Sequence, residues 1–426
     1  MNRITMKFAG YFKFAAPVVL PLALLISAQA QTGELARDER WREDVRFYAR
    51  ELPQRHKNLF FQLPKDEFER EIKNLEVRIP KLSDGEIALE LMRITARVGD
   101  GHTSSSMPES EQSFFPIRLE RFKEGWFATQ TTTDYEKILG GQIIKIGDVK
   151  VPKAAHLLRG LISAENEIVR ESRLGFFFTS AGILKAKGIW KTAETGEFTF
   201  IGQDGERISI DARPLTGEQY RKAQIRRSSD SGKTPFTAKN TASNYWFEYL
   251  PEAKTLYLAY NKCTNAPEKP FAELVKEIFA VADSQPTQKF VVDLRRNGGG
   301  NSAVIWSLYG ELKKRPQLIK KGNLFVLVSS RTFSSAFMNA LEMRNTLNAL
   351  WVGEAPGQKP NAYGEVRQFQ LPNSKIVVQY STKFWELMKG SDIAFVPVDV
   401  PVQMSFSDYT KGHDQVLQAA LDYKGN

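Results

Sequence analysis

The chain is poor in the residues that build disulfides and metal centres. Its 426 residues include one cysteine, Cys263, and four histidines, which are scattered along the sequence at positions 56, 102, 156 and 413. One cysteine excludes an intramolecular disulfide, and without a cysteine pair the histidines match no zinc-binding pattern. We therefore expect no metal site, and we expect Cys263 to be a buried, unreactive thiol.

The sequence also lacks a tract of positive charge. Lys and Arg number 59 against 49 Asp and Glu, so the formal net charge is +10 at pH 7. The two signs are interspersed, and basic clusters such as Lys313-Lys314-Arg315 are short. Nucleic-acid-binding domains usually concentrate their basic residues on one face or along one segment. The charge pattern therefore argues against a nucleic acid as a partner.

A hydrophobic run near the N-terminus is too short to span a membrane comfortably. Three basic residues precede the apolar residues 14–26, and an Ala-x-Ala sequence ends at Ala30. This order is typical of a secretory signal peptide, and we prefer it to the alternative of a membrane anchor. We predict cleavage after Ala30, export to the periplasm or the exterior, and no stable membrane anchor afterwards. Cleavage lowers the net charge from +10 to +7, because residues 1–30 contain three basic and no acidic residues.

The remaining chain divides into three predicted domains. Residues 31–105 place apolar side chains three and four positions apart, which is typical of helices. Residues 106–240 contain short strands punctuated by glycine and end in a polar segment, 217–241, that predicts a linker. Residues 241–426 alternate strands and helices, as α/β domains with parallel strands do. The strands expected in this last domain lie near residues 256–261, 289–295, 324–329 and 350–353.

Two of these strands end in turns that suit acyl-transfer chemistry. The strand at 289–295 leads into three consecutive glycines, Gly298 to Gly300, whose backbone N–H groups no side chain covers. Such N–H groups form one half of an oxyanion hole. The strand at 324–329 leads into a hydroxyl-rich helix start, residues 329–336, which offers a nucleophile and the second half. In open α/β sheets, ligands bind at this carboxyl edge of the strands.

Four motifs, in this order along the chain, resemble those of the S41 serine peptidases, a family that includes the C-terminal processing proteases and the tricorn core protease. They are Asp100-Gly-His-Thr103, Asp293-Leu-Arg-x-Asn-Gly-Gly-Gly300, Arg331-Thr-Phe-Ser-Ser-Ala336 and Val352-Gly-Glu354. The resemblance implies an α/β fold with a ClpP/crotonase-like βα spiral core, an N-terminal helical domain and a β-rich PDZ-like domain. The histidine-containing first motif resembles the tricorn-like branch.

By resemblance, the nucleophile falls on Ser334. The backbone N–H of Ser335 and that of Gly298 or Gly299 would then form the oxyanion hole. The other reading of the hydroxyls is that Ser334 and its neighbours cap the following helix, which is compatible with catalysis. The glutamate that often follows this motif in the family is replaced by Phe337.

The base that activates Ser334 has two candidates. His102 corresponds to the histidine of the tricorn-like branch, and a neutral imidazole accepts a proton well near pH 7. Lys359 occupies the position of the lysine in the serine–lysine branch, where it would act only if burial depressed its pKa. The carboxylate that would orient His102 is open among Asp392, Asp399 and Glu354.

The resemblance implies an exported serine endopeptidase that cleaves peptides or unfolded proteins through an acyl-enzyme intermediate. We expect no organic cofactor, because this serine chemistry needs none. One alternative is a non-catalytic binding protein for hydrophobic ligands, like the S41-like modules of interphotoreceptor retinoid-binding protein, with the aromatic run 176–178 lining its pocket. A second alternative is an esterase or amidase that acts on small molecules, since the same groups would serve.

Overall fold

A six-stranded sheet in the C-terminal half of the chain positions the predicted turns. The computed structural model describes residues 36–191, 194–228 and 234–425, so the predicted signal peptide lies outside the described residues. The helices are α1 (Arg37–Arg55), α2 (Lys65–Arg78), α3 (Asp84–Ala96), α4 (Val151–Arg159), α5 (Glu167–Phe177), α6 (Ala181–Ala186), α7 (Gly217–Lys222), α8 (Phe271–Ser284), α9 (Trp306–Lys313), α10 (Ser335–Leu347), α11 (Phe406–Thr410) and α12 (Gln415–Asp422).

Most of the strands fall into three antiparallel or mixed sheets. They are β1 (Ser104–Ser105), β2 (Ser113–Phe114), β3 (Ile117–Phe122), β4 (Gly125–Thr132), β5 (Gln142–Ile146), β6 (Val149–Lys150), β7 (Gly196–Ile201), β8 (Arg207–Ala212), β9 (Leu215–Thr216), β10 (Ile225–Arg227), β11 (Tyr245–Leu250), β12 (Thr255–Tyr260), β13 (Lys289–Asp293), β14 (Leu324–Val328), β15 (Leu350–Gly353), β16 (Asn361–Gln370), β17 (Val377–Glu386) and β18 (Val400–Pro401). The short strands β2 and β9 pair only with each other.

The core sheet has the strand order β11-β12-β13-β14-β15-β18, and all its pairs are parallel except β11 with β12. Alternate side chains of its central strands point to opposite faces. One set packs against α8, α9 and α10, and the other packs against α12. A sheet covered on both faces needs apolar side chains at successive positions, which is why Leu324–Val328 is buried throughout. The α/β alternation expected for this region is confirmed.

The PDZ-like region forms a second sheet of seven strands. Its strands β10, β4, β5, β7 and β8 are adjacent in that order, β3 pairs with β4, and β6 pairs with β5. The polar segment expected to be a linker contains two regular elements of this region. Thr216 and Gln219 form a capping box that starts α7, and Ile225 pairs with Thr132 where β10 joins the sheet edge. The segment is polar because a strand at the edge of a sheet and a short surface helix bury few apolar residues, and this polarity is also typical of linkers.

The N-terminal helices are joined to the C-terminal half by a long hairpin. β16 and β17 pair with each other, and β17 also pairs with β1 through Ser104 and Gln379. The turn of the hairpin docks on α1, where the Asp44 carboxylate accepts from the backbone N–H groups of Asn373 and Ser374 at 2.8 and 2.7 Å. Helix α3 ends just before the turn that carries His102, so this turn is held between α3 and the hairpin.

No helix among the described residues is long and apolar enough to cross a membrane.

A buried ion network ties the core sheet to the C-terminal helix. The Arg295 guanidinium binds Asp414 through two hydrogen bonds of 2.7 and 2.8 Å, and its Nε lies 3.0 Å from both carboxylate oxygens of Asp293. The Tyr257 hydroxyl donates to Asp293 over 2.6 Å. Asp414 also caps α12 by accepting from the Leu417 N–H. A buried charge is costly when its partner is removed, so this network holds the turn after β13 in place.

We expect Asp414→Asn to lower the free energy of unfolding by about 3 kcal/mol, because Arg295 loses a buried carboxylate while the cap is kept. Urea denaturation followed by tryptophan fluorescence measures the change. Asp422→Asn is the control, since Asp422 ends the same helix, is exposed, and accepts one side-chain hydrogen bond from Gln418. Equal destabilisation by the two substitutions would contradict the role given to the network.

Candidate active site

The two predicted turns lie side by side at the carboxyl edge of the core sheet. They follow β13 and β14, which are parallel neighbours. The Phe333 N–H donates to the Asn297 carbonyl over 3.2 Å, and the Ser329 hydroxyl donates to the Arg295 carbonyl over 2.7 Å. These bonds fix the glycine-rich turn and the hydroxyl-rich turn to each other.

Ser334 has an unusual backbone conformation, with φ 54° and ψ −130°. Residues with a Cβ rarely adopt it, and it costs on the order of 1–3 kcal/mol. Ser334 immediately precedes α10, yet its side chain caps no N–H group of the helix. The structure therefore does not use this hydroxyl as a helix cap. Strained backbone of this kind persists where the surrounding structure imposes it, and it clusters at active sites.

Gly299 lies directly against Ser334. A Cβ atom placed on Gly299 would be 2.6 Å from the Ser334 Cβ and 3.1 Å from the Ser335 nitrogen, and Gly299 itself has φ +111°. Only glycine fits this contact and this conformation without strain. At Gly298, in contrast, nothing lies within 4 Å of an added Cβ. The glycine run therefore combines one position that touches the serine with one that faces open space.

Two backbone N–H groups are available beside Ser334. Among the described residues, the N–H groups of Gly298 and Ser335 have no acceptor, whereas the Gly299 N–H donates to Asn297 Oδ1 over 2.9 Å. Asn297 is fully buried and is itself held by a hydrogen bond from Nδ2 to the Tyr260 carbonyl. Of the two glycines expected as alternatives for the oxyanion hole, Gly298 thus has the uncommitted donor.

Cys263 supports the glycine-rich turn from below. Its backbone carbonyl accepts from the Asn301 N–H over 2.7 Å, and a Cβ on Gly300 would lie 2.4 Å from that carbonyl oxygen. Burial raises the pKa of the Cys263 thiol to about 11, so it stays protonated at neutral pH. This environment agrees with the unreactive thiol expected from the sequence.

His102 lies next to the nucleophile position. Its ring stacks on the ring of Phe333, with centroids 4.5 Å apart and planes at 29°, and Phe333 precedes Ser334 in the chain. Neither ring nitrogen of His102 has a hydrogen-bond partner among the described residues. Burial lowers the pKa of His102. The charge of Asp100 raises this pKa and that of Arg173 lowers it, and the net shift is downward. The imidazole is therefore neutral at pH 7 and able to accept a proton.

Asp100 holds the turn that presents His102. Its carboxylate accepts from the His102 backbone N–H at 2.9 Å, the Thr103 hydroxyl at 2.5 Å, the Ser381 hydroxyl at 2.6 Å and His56 Nε2 at 3.0 Å. The Asn58 N–H donates to Nδ1 of His56, which places the His56 proton on Nε2. Four donors leave Asp100 fully engaged, so its role is to fix the turn.

Glu165 is the carboxylate beside His102 that has no hydrogen-bond partner. Its Oε1 lies 3.9 Å from His102 Nδ1, and both carboxylate oxygens are buried without a partner among the described residues. Burial, together with the charge of Asp100, raises the pKa of Glu165 to about 7, although Arg173 opposes the rise. Asp100, His102 and Glu165 also form a compact group: a carboxylate oxygen of each acid and a ring nitrogen of the histidine lie within 4.8 Å of one another.

The three carboxylates expected as partners of His102 lie elsewhere. Asp392 is exposed and pairs with Lys359 at 3.0 Å, and Asp399 pairs with Arg344 at 2.7 Å. Glu354 is half-buried beside another cavity, and burial raises its pKa. Phe337, which replaces the family's glutamate, is buried in the core.

Gln358, and not its neighbour Lys359, points toward the nucleophile. The buried Gln358 side chain accepts the Ser334 N–H through Oε1 at 2.5 Å. Lys359 turns away and meets Asp392. The structure thus brings together Ser334, Ser335, Gly298, Gly299 and His102, and it holds the Lys359 amine in an ion pair with Asp392.

Sequence reasoning did not find Glu165 or Gln358. Glu165 lies in the loop before α5, and no motif surrounds it. The pattern of the serine–lysine branch points to Lys359, and it gives no role to the neighbouring Gln358. Burial of a polar side chain depends on contacts with distant parts of the chain, so it gives no local signal in the sequence.

The comparisons with known proteins agree with this geometry at the level of fold. No protein-family model and no curated protein matches the sequence. Among solved structures, mature CPAF complexed with lactacystin aligns with a TM-score of 0.64 and 12% identity, covering 90% of this chain and 98% of that chain. A CPAF mutant aligns with a TM-score of 0.65 and 11% identity, covering 91% and 99%. The chain therefore shares the fold of CPAF, which confirms the α/β fold class with the S41-type core that the motifs implied.

Proposed function

We propose that this chain is an exported serine endopeptidase that hydrolyses peptide bonds in peptides or unfolded proteins. The observation that carries the proposal is the strained backbone of Ser334, which lies against Gly299 and beside two N–H groups without an acceptor. The fold shared with CPAF supports a hydrolase of this type. Export rests on the predicted signal peptide.

In the proposed mechanism, Ser334 and His102 carry the chemistry. The Ser334 oxygen adds to the scissile carbonyl carbon while His102 takes the hydroxyl proton. The N–H groups of Gly298 and Ser335 stabilise the oxyanion of the tetrahedral intermediate. The intermediate collapses when the C–N bond breaks, and His102 returns the proton to the leaving amine. Water then hydrolyses the ester by the same steps.

Glu165 is the proposed positioning residue for His102. As a carboxylate, Glu165 would accept a hydrogen bond from the Nδ1–H of His102 and so direct Nε2 toward Ser334. This requires the distance between Glu165 Oε1 and His102 Nδ1, now 3.9 Å, to shorten slightly. Apo structures often show catalytic hydrogen bonds that are longer than those of the substrate complex. Asp100 is at the same distance from Nδ1, but its oxygens are already engaged.

The main test is labelling with a fluorophosphonate together with cleavage of a denatured protein and a simple ester. We expect the mature protein to be labelled at Ser334 and to cleave the protein substrate, and we expect Ser334→Ala to lose both. Ser284→Ala is the control, because Ser284 is an exposed serine at the end of α8. Ester turnover without protein cleavage would favour the small-molecule esterase, and absence of labelling would favour the binding protein.

The pH dependence tests the base and its positioning residue. We expect kcat/KM to rise through about pH 7, because Glu165 must lose its proton before it can accept from His102. In Glu165→Gln the rise should move to lower pH, where His102 titrates, and the maximum should fall about 10²-fold. Lys359→Met should leave the profile unchanged. Loss of activity in Lys359→Met would instead assign the base to Lys359.

A pair of glycine substitutions tests the contact with Ser334. We expect Gly299→Ala to abolish labelling and to lower stability, because its Cβ would be 2.6 Å from the Ser334 Cβ and its φ is +111°. Gly298→Ala adds the same methyl group where nothing lies within 4 Å, and it keeps the backbone N–H. It should fold and be labelled at a rate close to that of the native chain. Similar behaviour of the two variants would refute the proposed geometry.

A further inference from the structure

A cavity of about 490 Å³ lies between the PDZ-like sheet and the two turns of the candidate active site. Strand β3 lines one side, and residues of both turns line the other. Five arginines line it, and three of them surround one carboxylate: Arg118 from β3, Arg296 from the glycine-rich turn and Arg331 from the hydroxyl-rich turn. We call it the arginine cavity.

The three guanidinium groups share one carboxylate oxygen. Glu120 Oε1 lies 3.1 Å from Arg118, 3.2 Å from Arg331 and 3.6 Å from Arg296. The group therefore carries two positive charges in excess. Arg295, which also lines the cavity, is neutralised by its own carboxylates and adds nothing to this excess.

The other charged residues of the lining leave this excess in place, because Arg121 and Glu354 contribute one positive and one negative charge. Although burial alone would raise it, Arg296, Arg118 and Arg331 hold the pKa of Glu120 at about 2, so this residue is always ionised. Crowding of like charge in a recess is unfavourable unless an anion enters. The Arg331 side chain is 40% exposed, so it is open to such an anion.

The rest of the cavity is apolar and aromatic. Phe114 and Phe176 form part of its wall, with ring centroids 5.2 Å apart, and Trp126 and Met404 contribute further apolar surface. Phe176 also packs edge-on against the buried Phe177, with ring centroids 5.6 Å apart, yet it is 54% exposed. The cavity thus offers guanidinium groups for an anion next to apolar surface.

The chain itself places the arginine cavity close to the nucleophile. Arg331 is three residues from Ser334, and Arg296 is two residues from Gly298, which sets upper limits of about 11 Å and 7 Å between their Cα atoms. A peptide with its scissile carbonyl at Ser334 advances about 3.3 Å per residue. Three residues of such a peptide span about 10 Å, which is comparable to these limits.

We propose that the arginine cavity is a substrate subsite that binds a carboxylate of the peptide, with Arg331, Arg118 and Arg296 as its specificity-determining residues. The inference rests on the proposed peptidase function and adds a substrate class to it. The carboxylate belongs either to an Asp or Glu side chain within the peptide or to a free C-terminus, and both would bind through charge-assisted hydrogen bonds to guanidinium groups.

Binding to the Ser334→Ala protein tests the subsite without requiring turnover. The probes are fluorescein-labelled peptides of Ala and Leu with a blocked N-terminus, and they carry either a central Glu or a central Gln with an amidated C-terminus. A third probe carries the central Gln and a free C-terminus. We expect the Glu peptide to bind about tenfold or more tightly than the amidated Gln peptide, as measured by fluorescence anisotropy, and the difference to shrink at high salt.

Substitutions in the cavity assign the preference to its residues. Arg331→Gln and, separately, Arg118→Gln should reduce the preference for Glu severalfold, whereas Glu120→Gln, which removes the competing carboxylate, should increase it. Arg46→Gln is the matched control, since Arg46 lies on α1 and is 61% exposed. Urea denaturation verifies that each variant is folded. Two arginine variants keep the test decisive when one of them is unstable.

Each outcome has a defined meaning. Tighter binding of the Glu peptide that depends on the arginines supports a side-chain carboxylate, and tighter binding only of the free C-terminus supports a terminal one. Equal affinities for all three probes, or a preference that survives both arginine substitutions, would overturn the proposal. Failure of the peptidase function shows separately, as absence of fluorophosphonate labelling at Ser334, and leaves the binding preference measurable.

Discussion

The contact between Gly299 and Ser334 is the constraint on which the candidate active site depends. Because Gly299 has no side chain, the backbone of the glycine-rich turn can approach Ser334 so closely that no Cβ would fit between them. The contact coincides with the strained φ of Ser334, and Gly298 and Ser335, the chain neighbours of the two contacting residues, have N–H groups without an acceptor among the described residues. Strain of this kind persists where the surrounding structure imposes it.

Buried charge is concentrated along the carboxyl edge of the core sheet. Arg295 with its two aspartates supports one turn, Asp100 fixes the turn of His102, and Glu165 stays without a partner beside the imidazole. Each charged group in the low-dielectric interior needs a partner or shifts its pKa. Glu165 and the arginine cavity are the places where this pairing is incomplete, which is why both lead to functional proposals.

The elements of the core were predictable because their signals are local. Apolar runs at 324–328 and 350–353 match buried parallel strands, and the strand ends located the two turns. The polarity of residues 217–241 predicted a surface linker or a mobile loop, since an edge strand and a small helix carry little periodic signal. The sequence offered Asp392, Asp399 and Glu354, all far along the chain, as carboxylates that could orient His102. In the structure the carboxylate of Glu165 lies 3.9 Å from Nδ1 of His102.

The sequence by itself determined the secondary structure of the core and the two turns, because turn chemistry and hydrophobic period act over a few residues. Ser334 and His102 were predicted from the motifs that resemble those of the S41 peptidases. Only the tertiary structure decided that Gln358 rather than Lys359 faces Ser334, that the Gly299 N–H is already bonded, and that three arginines from separate segments share Glu120. These contacts join residues far apart in the chain. Their geometry depends on how the sheets pack, and no local pattern encodes it.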